Sequence, residues 1–149
     1  MQDRYDLHSG LGYQLAIAAR TNNAGFDESL SALGLTRQTW CVLVAVGEQQ
    51  ITTPSAIADY IGIIRPAASR TLKQMDENGL LKRSAGDIDK RSTTVALTER
   101  GIYLLRKSMP VALKTREHID AALSPTEQSQ LSNLLAKLTA SMASKATGV

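Results

Sequence analysis

IADYIGIIRPAASRTLKQMDENGLLKRSAGDIDKRSTTVALTER, residues Ile57 to Arg100, decides how this chain folds. It reads in order as a short helix, a turn, a second helix, and two strands joined by a charged loop. The second helix is the clearest element. Pro66 suits a first turn, where a fixed φ helps and a missing N–H is no loss. No Pro or Gly follows from Ala67 to Asn78, and Gly79 is of the type that usually closes a helix. At about 100° per residue, Ala68, Leu72 and Met75 share an arc of roughly 60°, while Arg65, Ser69, Arg70 and Lys73 occupy a separate arc of roughly 140°. One side is small and apolar; the other is basic and carries a hydroxyl.

Leu80–Ala85 and Ser92–Leu97 are strand-like. Thr93, Val95 and Leu97 alternate with Thr94 and Ala96, as a half-buried strand requires. Between the runs lies Gly86-Asp87-Ile88-Asp89-Lys90-Arg91, whose Gly and Asp residues favour turning. The fold expected is mainly α with a small β-hairpin wing: a winged helix-turn-helix. A basic helix side supplies cations for phosphates, and Arg or Ser for base edges in a major groove. Arg91 at the hairpin tip supplies a second contact in the adjacent minor groove, with Asp89 two residues earlier to orient the guanidinium and Lys90 and Arg83 on the backbone. A solvated amphipathic helix beside a solvated loop would have the same residue pattern.

The runs Asn78-Gly79-Leu80-Leu81-Lys82-Arg83, Asp89-Lys90-Arg91 and Val95-Ala96-Leu97-Thr98-Glu99-Arg100-Gly101 together resemble the core of the MarR family of winged-helix transcription regulators. The family pattern is a recognition helix ending in Gly, a short strand, an Asp-x-Arg wing tip, and a strand running into Leu-Thr-x-x-Gly. The resemblance extends more loosely over most of the chain. It implies a homodimer, a palindromic double-stranded DNA site and, in many members, a small aromatic or phenolic effector. One departure stands out. Family members often open the recognition helix with a Ser or Thr cap, whereas Ile63-Ile64-Arg65-Pro66 stands here, and neither Ile side chain can cap a helix.

The chain has 149 residues, suited to one domain (residues 1–149), with 36–100 as the winged helix-turn-helix and 7–34 and 101–146 as dimerisation helices. Apolar residues make up 43%, with one Phe and one Trp, so the core must be aliphatic. Lys and Arg number 17 against 14 Asp and Glu, and eight of those cations against six acids lie between Asp59 and Arg100. This modest excess is compatible with a nucleic-acid partner. The single cysteine, Cys41, rules out an intrachain disulfide and suits a reducing compartment. No run approaches roughly 18 consecutive apolar residues, and the start of the sequence lacks a signal-peptide pattern. The expectation is a cytoplasmic protein with no membrane segment.

Outside the central stretch, Leu11–Leu33 reads as a helix weakened by Gly25 and closed by Gly34. Thr36 then caps a helix whose apolar face is Trp40, Leu43, Val44 and Gly47. Ile51-Thr52 reads as a short extra strand for the wing sheet, and Thr53-Pro54 as a cap and first-turn proline. Thr98 caps a helix from Glu99 to about Ala122, kinked at Pro110 to turn the chain toward the dimer interface. Gly101 in its first turn implies close packing on the wing base. Ser124-Pro125-Thr126-Glu127 is a capping box. Leu131, Leu134, Leu135, Leu138 and Met142 form an apolar stripe after it that needs a partner, and the first helix, in the same chain or a second copy, is a candidate.

No phosphate loop, nucleophile elbow or dinucleotide fingerprint is present, so no enzyme and no cofactor are expected. His8 and His118 share no metal-ligand spacing with Cys41, so no metal is expected either. Tyr13, Arg20, Arg37 and Trp40 are the candidate ligand residues, offering aromatic contact and a counterion, although Tyr13 and Trp40 equally suit a core. Cys41 reads as a small buried residue or as a redox-sensing thiol, for which only Arg37 offers a nearby cation. The function expected is a ligand-responsive, DNA-binding repressor acting as a homodimer. The alternatives are a winged-helix protein–protein adaptor without DNA binding, supported by Asp76, Glu77, Asp87 and Asp89, and a redox regulator through Cys41.

Overall fold

The computed structural model describes residues 4–85 and 93–146. After a short 3-10 turn at Leu7–Ser9 come α1 (Leu11–Ala32), α2 (Arg37–Gly47), α3 (Pro54–Ile61), α4 (Arg65–Glu77), β1 (Leu81–Ala85), β2 (Thr93–Leu97), α5 (Glu99–Ala122) and α6 (Pro125–Ala146). The chain divides into two compact units, Met1–Ala112 and Leu113–Val149, and the division falls just past Pro110, through which α5 runs as helix.

The first unit is built on one aliphatic core. Leu30 of α1, Val42, Leu43 and Ala45 of α2, Ile57 of α3, Leu72 and Met75 of α4, Leu81 and Val95 of the strands and Leu105 of α5 are all buried, with Phe26 at the edge. Side chains of this size each contribute about 1.5–3 kcal/mol when fully buried. Thr36 caps α2 by accepting the Thr39 N–H at 3.1 Å, which favours helix over the strand that the valines of this segment would also suit. α1 passes through Gly25 without interruption.

The strands pair antiparallel, with Leu81 opposite Leu97, Arg83 opposite Val95 and Ala85 opposite Thr93. Val95 is buried while Thr94 and Ala96 face water, the alternation expected of them. Two expectations are corrected. Ile51-Thr52 is not a strand: one hydrogen bond, Val95 N–H to the Thr52 carbonyl at 2.7 Å, is its link to the hairpin. Thr53 precedes α3 in extended conformation, but its side chain caps nothing.

Thr98 joins the wing to α5. Its hydroxyl donates to the Gly79 carbonyl at 2.7 Å and accepts the Gly101 N–H at 3.1 Å. Its own N–H donates to the Leu80 carbonyl at 3.1 Å. Gly79 holds φ +70°, a left-handed turn that a side chain would resist. At Gly101 a Cβ would run into the Leu80 carbonyl oxygen, so the close packing expected at the wing base is present.

In the second unit the capping box forms as read. Glu127 N–H donates to Ser124 Oγ at 3.3 Å, and Ser124 N–H returns to Glu127 Oε2 at 2.8 Å. The Ser124 N–H and the Ser124 hydroxyl, which lies 2.9 Å from the same Oε2, both bond the charged carboxylate and hold the Glu127 pKa below its ordinary value. Leu131, Leu134, Leu135 and Met142 of α6 are exposed in the single chain.

Candidate nucleic-acid interface

α4 presents two faces. Ala68, Leu72 and Met75 are each 1% exposed, whereas Arg65, Ser69, Arg70 and Lys73 all face water. Its rotation about its own axis is fixed from below: Gln38 Nε2 of α2 donates to Thr71 Oγ1, which in turn donates to the Ala67 carbonyl at 3.0 Å. Lys73 lies 3.9 Å from Glu77 in an exposed pair of little strength. Among the described residues no carboxylate pairs with Arg65 or Arg70. The exposed side of this helix is therefore a cationic surface on a rigid support.

Arg83 is placed differently from a free phosphate contact. Its Nε lies 3.0 Å from Asp76 Oδ2, tying β1 to the last turn of α4. The sequence signal for this pair was an acid and a base seven residues apart on either side of the Gly79 turn. Asp89, Lys90 and Arg91 lie outside the described residues; β1 and β2 lead into and out of that segment.

The first unit thus combines a helix-turn-helix of basic outer face with an antiparallel hairpin directly after it. A model of the MarR family matches residues 33–92, which include all of α2 to β1. Over that segment the chain is similar to the MarR family, and its fold is a winged helix. The fold is similar to that of S. aureus MepR in its DNA complex, at 21% identity and TM-score 0.81, over 89% of this chain and 98% of that one. Bordetella bronchiseptica BpsR, whose DNA binding is regulated by 6-hydroxynicotinic acid, aligns at 23% identity and TM-score 0.80 over 91% and 96%. A probable transcriptional regulator from Pseudomonas aeruginosa aligns at 28% identity and TM-score 0.75 over 89% and 99%.

The candidate ligand residues of this chain are not gathered in one place. Tyr13 packs edge-on against His8, with ring centroids 5.0 Å apart, near the start of α1. Trp40 packs edge-on against Phe26 at 4.9 Å. Tyr13 and Phe26 are thirteen residues apart on one helix, hence about 20 Å. Arg20 is exposed between them. Arg37 is engaged by Asp27, with Nε and Nη2 donating to the two carboxylate oxygens at 3.0 and 2.9 Å. The Trp40 indole Nε1 is buried and has no acceptor among the described residues. Burial pushes the Cys41 thiol pKa up, and the Arg37 charge only partly opposes this. Among the described residues no His, Cys, Asp and Glu cluster could hold a metal, and no single helix is long and apolar enough to cross a membrane.

Proposed function

We propose that this chain is a sequence-specific transcription regulator that binds double-stranded DNA as a homodimer on a palindromic operator and releases it in response to a small aromatic ligand. The observation that carries this reading is the outer face of α4. Arg65, Ser69, Arg70 and Lys73 stand clear of the core, while Ala68, Leu72 and Met75 anchor the opposite side. A helix so held can lie in a major groove with cations on phosphates and Arg or Ser on base edges. MepR, of the same fold, forms a DNA complex. Arg91 enters the adjacent minor groove, and Lys90 and Arg83 serve the backbone, Arg83 after or while holding Asp76.

The exposed apolar stripe of α6 supports a second copy as its partner, and pairing would set two α4 helices at a fixed separation. For the ligand, the buried Trp40 N–H without an acceptor is the best support, since leaving such a donor unmet is costly. A phenolic or carboxylate oxygen would satisfy it, and the BpsR effector belongs to that chemical class. The ligand would act by differential affinity for two dimer shapes. The adaptor reading loses ground, because Asp76 is engaged by Arg83. The redox reading does too, because burial disfavours the Cys41 thiolate. A gel shift with the DNA upstream of the protein's own coding region tests the proposal: a discrete complex is expected, and its absence at low salt would overturn it.

A further inference from the structure

We infer that Ile64 reads a thymine methyl in the major groove and so sets base preference at one step of each half-site. The inference rests on the DNA-binding reading above. Ile64 occupies the position that precedes α4, in extended conformation (φ −68°, ψ 145°), and its side chain bonds none of the first-turn amides. Isoleucine is among the poorest residues for this place. Burial does not compensate. Ile63 turns inward, half-buried, with its N–H on the Ala58 carbonyl at 3.1 Å, whereas Ile64 is 69% exposed.

Ile64 is thus disfavoured both by its backbone position and by water, and an apolar group bound against it would offset the second of these costs. Pro66 has also removed an N–H donor from the first turn, so this helix start is built less for a phosphate than for an apolar edge. The residue after Ile64 is Arg65, the first of the exposed cations. The N-terminal residues of a helix seated in the major groove are the ones that reach base edges. Among those edges, the thymine C5-methyl is the apolar group an isoleucine side chain matches.

The test begins by selecting tight duplexes from a random-sequence pool with the full chain. Single thymines in the best duplex are then replaced by deoxyuridine, which deletes only the methyl. Affinities are measured by fluorescence anisotropy for the wild type, Ile64→Ser and Ile64→Val. One thymine per half-site is expected to matter, its replacement weakening the wild type by about fourfold per half-site, the scale of one buried methyl. Ile64→Val should keep that sensitivity. Ile64→Ser should lose it while raising Tm, because the hydroxyl restores a cap. A wild type indifferent to every deoxyuridine, or an Ile64→Ser variant as sensitive as the wild type, would overturn the inference alone. Recovery of no preferred duplex would overturn the DNA-binding reading, and the inference with it.

Discussion

Arg83 of β1 and Asp76 of α4 form a 3.0 Å ion pair that ties the wing to the helix proposed to read DNA. Both side chains are about one-third exposed (36% and 34%), so the pair contributes at most about 1 kcal/mol to stability. Its importance lies in geometry. Asp76→Ala should therefore shift the urea midpoint little but weaken operator binding, as the wing loses its fixed angle to α4. Simple charge counting gives the opposite sign, since removing an acid beside DNA should tighten binding. A tighter-binding Asp76→Ala would reject the positioning role.

Gly101 and Gly25 make a matched pair for testing the packing. Alanine at Gly101 places a methyl against the Leu80 carbonyl, a backbone atom that cannot turn aside. Overpacking of this kind costs about 1–3 kcal/mol, and the clash with backbone puts it at the upper end, more than the gain of about 1 kcal/mol in helix propensity. At Gly25 an added methyl carbon would have nothing within 4 Å, so alanine there should stabilise by about 0.5–1 kcal/mol. Chemical denaturation of the two variants should give opposite signs.

Arg91, proposed to enter the minor groove, is expected to cost about 1–3 kcal/mol of operator affinity when changed to alanine, with the dimer intact. Binding should also fall by orders of magnitude between about 50 and 200 mM salt. A titration series checks both, and an unchanged Arg91→Ala affinity would remove the wing from the mechanism.

The Glu127 pKa is lowered by its bonds to Ser124. A carboxylate lowered on folding adds stability at pH above its unfolded value, and that stability is lost as pH falls through the lowered folded value. Thermal unfolding followed from about pH 6 down to about pH 3 should show this loss in the wild type. Glu127→Gln, which keeps a capping side chain without the titration, should show a shallower acid slope.

The helix-turn-helix, the hairpin and the caps at Thr36, Thr98 and Ser124 were legible because each is written in a few adjacent residues. Pairings across the chain were not. Arg83 reads as a phosphate contact until the Gly79 turn brings Asp76 beside it. Arg37 reads as a ligand counterion until α1 and α2 pack and Asp27 engages its Nε and Nη2. Ile51-Thr52 has strand-forming residues, but only the Thr52 carbonyl meets β2. The cationic face of α4 was fully written in its sequence, because one helix's periodicity decides which side is buried.

The most direct test of DNA recognition by α4 is the affinity and stoichiometry of Arg65→Ala/Arg70→Ala on the selected duplex, beside its Tm. Both cations are exposed and lack carboxylate partners among the described residues, so Tm should not move. The wild type should saturate at two chains per duplex, and the double variant should lose at least about tenfold in affinity, with a salt slope lower by about 2 per half-site. Equal affinity and slope in the two proteins would contradict the claim that this face of α4 meets DNA.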